Sequence, residues 1–482
     1  MNKLRKSITN WIIKYNDVLA PAKATVWFLV CSIIQKCFSL ISTPIFTRIL
    51  SIEQYGMVAN FNSWYELLFP MATLYITGVA YNNIMVQHDD DIESATLSVM
   101  LLTTVVSLIL LLIYLVGKDF FSDITGVSTF MTVVMFIQFV FSPIKDFWAA
   151  RERFRYRYKK LVAVTLFITI FGITFGVATV LLSEYKYELR IISQVIAVTI
   201  VGVVIYVKQI KKVKRKINVY YWKYALKISV PLIPHMLSMK FLNQADRVMI
   251  TNMIGAEATG VYSLAYTVAT LILVVTDAIN SSICPYIYKC IKSKQINNVK
   301  EKVNIVVLCV LTLTICEMLV APEIISLMAT EEYMSAIYVI PPVALSVIFI
   351  FIYVIFSNIE FYYEKTVFAS IVSVIAALIN IVLNYIFIKQ YGYQAAGYTT
   401  LVCYILFAFT HYLNYRRTCK INPVVAGIYD TKQILKLSIL GIIMMFLCLL
   451  LYRWIIVRYV VLFGFIFLFI FLIHKLRMKK NI

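Results

Sequence analysis

The stretch WKYALKISVPLIPHMLSMKFLNQADRVMITNMIGAEATGVY, Trp222 to Tyr262, decides how the rest of the chain is read. It carries an apolar segment interrupted by Pro231 and Pro234, an ammonium at Lys240, an Asp246-Arg247 pair and a turn from Gly260 to Tyr262. It reads as a second beginning. Lys36 lies in the first long apolar segment, and RILSIEQYGMVAN (Arg48 to Asn60) is similar to NMIGAEATGVYSLA (Asn252 to Ala265). At one shift of 204 residues Gly56 falls on Gly260, Glu53 on Glu257 and Lys36 on Lys240. Landmarks that agree at a single shift point to a duplicated membrane unit, a common plan among transporters.

Composition sets the solvent. The chain is 61% hydrophobic and 14% charged, with a mean hydropathy of +0.83, where soluble domains carry about 25% charged residues. So much apolar side chain needs lipid around it. A net charge of +21 would suggest a nucleic-acid partner for a water-soluble protein. Here it has a simpler cause, the retention of Lys and Arg on one side of a bilayer, and no nucleic acid is expected. The cysteines lie in apolar spans or basic loops, with no CxxC or Cys/His spacing, so no disulfide, metal or cofactor is expected. MNKLRKSITNWIIKYNDV reads as a retained cytoplasmic or interfacial segment, since no uninterrupted apolar run and cleavage site precede the first span.

A spanning helix needs about 20 mostly apolar residues. About fourteen spans meet that need: 24–43, 60–80, 95–116, 127–144, 161–182, 190–207, 224–242, 259–279, 303–322, 336–358, 367–388, 396–414, 434–452 and 454–473. Short loops join them, and backbone polar groups in hydrocarbon must be satisfied within each segment, so every span is a helix. The expected fold is an all-α integral membrane protein: two parallel six-helix lobes around a central cavity, plus two C-terminal helices. The expected divisions are a cytoplasmic segment 1–23, an N-lobe 24–216, a C-lobe 217–420 and a pair of extra spans with a basic tail, 421–482. Basic residues set the orientation. Lys3, Arg5 and Lys6, the ladder Arg151 to Lys160, KQIKKVKRK at 208–216, Lys289 to Lys302, Arg416 to Lys420 and Lys475 to Lys480 all fall on one side. That side is the cytoplasm, with both termini inside; the acidic HDDDIE (His88 to Glu93) shares it, but carboxylates weigh little in this rule.

Ionisable groups within spans are costly and mark function by default. Lys36 and Lys240 fall on matching faces of the two repeats and, with Arg48 and Arg247, suit an anionic ligand such as a diphosphate. Against this stands snorkelling of long side chains from helix ends. Glu66 and Asp277 are the acidic counterparts, able to pair with a cavity cation or to carry a coupling proton or sodium ion. Asp246 reads as a local partner of Arg247 or a helix cap, and Glu317 and Glu360 as interfacial. Pro231 and Pro234, with Pro70 and Pro341-Pro342, interrupt spans and serve as hinges or as plain kinks. His235 reads as a packed histidine, and the many aromatics as interfacial anchors, some of them able to stack on sugar rings. The basic-aromatic ladder ARERFRYRYKK reads as a headgroup-binding helix, which makes membrane lipids a partner.

Several motifs together carry a resemblance. PIFTRILSIEQYG (Pro44 to Gly56), SVPLIPHML (Ser229 to Leu237), ADRVMI (Ala245 to Ile250), ATGVYSLA (Ala258 to Ala265) and YGYQAAGYTT (Tyr391 to Thr400) are the residues concerned. The chain resembles the polysaccharide-transporter branch of the multidrug/oligosaccharidyl-lipid/polysaccharide (MOP) exporter superfamily, the Wzx-type O-antigen or capsule repeat-unit flippases, over essentially its whole length. The resemblance implies an inverted V of two six-helix lobes in the bacterial cytoplasmic membrane. It implies a cargo of undecaprenyl-diphosphate-linked oligosaccharide moved outward by alternating access. It also implies a cation-lined cavity and coupling to an H+ or Na+ gradient, with contact to a polysaccharide polymerase left open. Alternatives are a peptidoglycan-precursor flippase, a cation-coupled small-molecule exporter of the same superfamily and, in another class, a membrane polysaccharide polymerase or ligase. An enzyme of that last kind would carry a large extracytoplasmic loop with catalytic groups, whereas the longest loops here are basic. The chain is therefore read as a transporter and not as an enzyme.

Overall fold

The structure, a computed structural model, describes residues 20–213, 217–364 and 366–478. Lys3, Arg5 and Lys6, the end of the basic run at 214–216 and the last residues of the tail, 479–482, lie outside the described residues. The described chain is helical throughout. Twelve helical stretches in it are long and apolar enough to cross a membrane, which makes it a multi-pass membrane protein of the all-α class. Two of the expected spans, 60–80 and 224–242, are not among the twelve. Both of these regions are broken helices loaded with polar groups.

The first half runs α1 (Ala20–Ile49), α2 (Ile52–Ala72), α3 (Ala80–Gln87), α4 (Ile92–Val116), α5 (Lys118–Thr125), α6 (Thr129–Phe154), α7 (Tyr158–Leu181) and α8 (Lys186–Lys212). A linker helix, α9 (Val219–Ser229), leads to α10 (Ile233–Met253), α11 (Ala256–Ala269), α12 (Ile272–Lys292), α13 (Asn297–Leu319) and α14 (Ala321–Met328). The chain then closes with α15 (Ile340–Tyr362), α16 (Thr366–Tyr391), α17 (Gln394–Ile421), α18 (Thr431–Leu451) and α19 (Ile455–Met478).

Proline chemistry explains the breaks. Pro70 sits in the last turn of α2, and the chain then runs through turns at 73–79, where Leu74 and Tyr75 take positive φ of 51° and 50°. Pro231 and Pro234 each remove a donor from the helical ladder, so 224–242 is two helices joined by a 3-10 turn, Val230–Leu232. Pro341 and Pro342 behave differently from expectation. They occupy the first turn of α15, where a missing N–H costs nothing, and interrupt no helix.

The chain forms two compact units. The first takes the chain to Leu50 and Leu68–Ile233; the second takes Ser51–Leu67 and everything from Pro234. The passage after Ile233 falls between the two prolines and lies beyond the boundary at 216 by the length of α9 and its turn. In the first unit α7 packs along α8 and α1, and α6 along α8 and α4. Its core gathers Tyr81, Ile84, Met100, Ile144 and Phe147; Tyr81 stands edge-on to Phe147 and shares a 2.8 Å hydrogen bond with Thr96.

In the second unit α15 is the hub, packed against α11, α12, α13, α16, α17 and α18. Its sequence, IPPVALSVIFIFIYVIFSNIEFY, is apolar on every side, as a helix without a solvent face must be. Segment 51–67 enters this unit through glycine. A Cβ on Gly56 would collide with the Ala256 carbonyl oxygen and come within 2.9 Å of the Gly260 nitrogen. One on Gly260 would collide with the Ile52 carbonyl oxygen. Only two glycines let these backbones meet.

Candidate functional site

The polar helices α2 and α10 meet in the second unit. Along α10 the residues at 240, 243, 244 and 247 share one helical face. Lys240 pairs with Glu66 of α2, each side chain a little over one third exposed (37% and 39%). One turn back, Ser63 donates to Gln244 Oε1 (3.2 Å), and the same oxygen accepts from Arg247 (2.9 Å). Arg247 also donates to the Asn243 carbonyl at 3.0 Å and lies 4.2 Å over the ring of Tyr266. Tyr404 donates to Asn243 Oδ1 (3.2 Å). The result is a ladder of charge and amide running Glu66, Lys240, Gln244, Arg247.

On an adjoining face of α10 lies a group whose role the sequence reading missed. Asp246, read from sequence as a local partner of Arg247 or a cap, is fully buried in mid-helix. Its carboxylate accepts from Tyr262 Oη (2.6 Å), Asn384 Nδ2 (2.6 Å) and Thr400 Oγ1 (2.7 Å). Asn384 in turn meets Asn380 (3.2 Å) and accepts from Thr399. The donors come from α11, α16 and α17, so one carboxylate ties three helices to α10. Hydrogen bonds to a buried charge are the strong kind. Five oxygen-bearing side chains (Asp246, Asn380, Asn384, Thr399 and Thr400) thus meet in the unit. The motif YGYQAAGYTT holds two of them, which was the one local signal.

The other residues singled out in the sequence fall as follows. Lys36 is exposed near the middle of α1, in the first unit, and makes no ion pair or hydrogen bond with described residues. Arg48 is exposed in the last turn of the same helix and bonds the Pro44 carbonyl at 2.9 Å. Asp277 is exposed on α12. Pro231 and Pro234 bracket the passage between units. His235 is held by Ser373 at 2.8 Å, as a packed histidine. Glu66, Lys240 and Arg247 are therefore brought together, while Lys36 and Arg48 belong to the first unit. A polar cavity of about 250 Å³ lies in that unit beside α1, with Ser32, Gln35, Arg153 and the Lys145–Asp146 pair (2.6 Å) in its lining.

Two acids read as interfacial are not. Glu360 is wholly buried and meets His411 Nδ1 at 2.9 Å, also buried. Glu317 is buried on α13, with Oε2 lacking a hydrogen-bond partner among the described residues. Both lie near the ends of their helices, as read, but neighbouring helices cover them. Among the described residues no three His, Cys, Asp or Glu side chains gather as a metal site would require.

Comparison with known proteins agrees with this architecture. The family described as "Polysaccharide biosynthesis protein" matches residues 22–291, more than half of the chain, and the MatE family matches 231–386. A Haemophilus influenzae protein of the Lsg locus is 21% identical over 283 residues, 57% of this chain and 67% of its own length. Among solved structures, the lipid II flippase MurJ in an inward closed conformation superposes with a TM-score of 0.70 at 14% identity. That match covers 94% of this chain and all of MurJ. A point mutant of the Vibrio cholerae MATE transporter VcmN gives 0.53 at 13% identity, over 84% of this chain and 97% of its own.

Proposed function

Because the chain belongs to the polysaccharide biosynthesis protein family, within the polysaccharide-transporter branch of the MOP superfamily, we propose that it is a flippase for lipid-linked oligosaccharide. The cargo is an undecaprenyl-diphosphate-linked repeat unit of O-antigen, capsule or exopolysaccharide. It crosses the bacterial cytoplasmic membrane from the inner to the outer leaflet, with both termini of the chain in the cytoplasm. The observation that carries this reading is the family match over more than half the chain, joined to a fold shared with a lipid II flippase along 94% of it.

The residues supply a chemistry that suits the cargo. The Lys240–Glu66 pair is partly exposed, and such pairs hold by about 1 kcal/mol or less. A diphosphate can therefore displace Glu66 from Lys240 at little cost, while Arg247, buried two turns on and held by Gln244 and Asn243, adds positive charge to that face. Lys36 and Arg48 are two further cations, carried by the first unit. Pro231 and Pro234 act as the hinge, since the ladder is already interrupted where the chain passes from one unit to the other. Coupling draws on a proton or sodium gradient. Asp277 is one candidate for it, and for sodium the oxygen cluster around Asp246 is a second, since that hard cation prefers carboxylate, carbonyl and hydroxyl oxygen.

A deletion strain tests the reading. Loss of the chain is expected to leave single repeat units on undecaprenyl diphosphate facing the cytoplasm, with surface polysaccharide lost. Single units reaching the surface in that strain would point to a polymerase instead. Accumulation of lipid II would point to a peptidoglycan-precursor flippase.

A further inference from the structure

We propose that Glu360 and His411 form a proton-binding site, a buried pair that shares one proton and exchanges it only in a state that wets the ends of α15 and α17. This rests on the transporter reading above and names the coupling group within it.

The geometry comes first. Glu360 and His411 are 0% and 1% exposed, on two helices packed along their lengths. Both carboxylate oxygens face Nδ1, at 2.9 and 3.1 Å. The imidazole is walled by Phe407 (4.7 Å between centroids), Tyr353 (5.5 Å) and Phe368 (5.9 Å). Its Nε2 is buried with no hydrogen-bond partner among the described residues.

With one proton shared between them the two groups are neutral together, whether it sits on the carboxyl or the imidazole. Removing it leaves a buried anion, and adding another leaves a buried cation. Either is expensive away from water. Exchange of the proton therefore requires a conformation that hydrates the pair.

Nε2, buried without a hydrogen-bond partner among the described residues, is the ring nitrogen left to meet water when the pair is hydrated.

The surrounding groups leave the pair isolated. On α17 the nearby titratable side chains are Tyr412 and Tyr415, and ahead of α18 it is Tyr429, whose hydroxyl bonds the Ile355 carbonyl at 3.0 Å. Arg416 lies 6.0 Å from the Tyr412 ring, and α16 contributes Phe368. On α12, Tyr288 stacks edge-on with Tyr362 of α15, and Asp277 is within electrostatic reach of Tyr353. Asp277 is exposed, and the Tyr353 ring lies 5.5 Å from that of His411, so Asp277 is the acid on α12 nearest in reach of the pair's surroundings.

The test uses the full-length protein in proteoliposomes, with undecaprenyl-diphosphate-linked oligosaccharide extracted from the deletion strain as probe. An inward-directed pH gradient is expected to raise the wild-type translocation rate, each pH unit adding up to about tenfold to the equilibrium driving force of one coupled proton. In Glu360→Gln and His411→Gln the ratio of rates with and without the gradient is expected to fall to about one, and the inverted pair, Glu360→His with His411→Glu, to recover part of it. A wild-type response retained in Glu360→Gln, or a wild type driven by sodium and indifferent to pH, overturns the proton site. Absence of any translocation by the wild type overturns the flippase reading instead. The pair then remains testable without cargo, by ¹⁵N NMR of histidine-labelled protein in nanodiscs. The His411 ring signals are expected to be indifferent to bulk pH in the wild type and to become responsive once Glu360 is replaced. A His411 that titrates freely in the wild type contradicts the proposal.

Discussion

Gly56 and Gly260 stand one repeat apart in sequence, as do Lys36 and Lys240, yet the two pairs behave differently. The glycines meet, and reciprocally: Gly56 presses on the carbonyl of Ala256, and Gly260 on that of Ile52, residues that the same shift of 204 relates. Such exchange of partners is the mark of a two-fold relation between like segments. The lysines share no such equivalence. Lys240 is paired with Glu66, whereas Lys36 is exposed and makes no ion pair with described residues. At that shift Asp246 falls on Ser42, whose hydroxyl bonds only back to the Ser39 carbonyl at 2.9 Å. The contrast teaches that the backbone contact is held by sterics at both ends, while charged groups at the same offset have different surroundings.

The hardest way to break the glycine half of that contrast is Gly56→Val. The new side chain meets backbone, which no rotamer relieves, and overpacking of even flexible neighbours costs about 1–3 kcal/mol. Folded protein is expected to vanish from size-exclusion profiles, with Gly260→Val behaving alike. Wild-type melting of either variant would undo the reciprocity. Next comes Asp246→Ala, which strands three donors and is expected to cost about 3 kcal/mol, read as a fall in melting temperature in detergent. Ser42→Ala, its repeat counterpart, is expected to change almost nothing. If the two variants matched, the second repeat would have no special polar anchor.

The lysines sharpen the comparison at smaller scale. A double-mutant cycle on Lys240 and Glu66 is expected to give about 1 kcal/mol of coupling or less, because both groups are partly exposed. A larger value would mean a structural lock and not an exchangeable ligand site. The smallest effect belongs to Asp430, which lies outside the spans and caps α18. The Gln433 backbone N–H holds its carboxyl below the usual carboxylate range, with Lys300 helping at 3.4 Å. A depressed carboxyl contributes stability above its unfolded value and loses it as pH falls through its folded one. Asp430→Ala is expected to remove about 0.5 kcal/mol at neutral pH and nothing below that range, by melting across pH.

Much of this fold was legible from composition and spacing. Apolar runs located the helices, and the shift of 204 located a glycine pair that turned out to touch. The passage at Ile233 falls among prolines read as hinges or kinks and not at the expected boundary of 216, and the exchange of 51–67 between units carried no signal. What stayed hidden depended on contacts far apart in sequence. Asp246 finds its partners at 262, 384 and 400, and Glu360 finds His411 across 51 residues, so no local pattern could separate a buried acid from an interfacial one. The spans 60–80 and 224–242 read as single helices because their apolar residues outweighed the breaks, yet their polar residues are what bring α2 and α10 together.

The most direct measurement is transfer of undecaprenyl-diphosphate-linked oligosaccharide to the outer leaflet by Lys36→Ala, made as a folded protein in proteoliposomes. A fall of about tenfold or more is expected if the Lys36 ammonium takes part in holding the cargo, with a further fall on adding Lys240→Ala if both do. Unchanged transfer in the single and the double variant would contradict the cationic site.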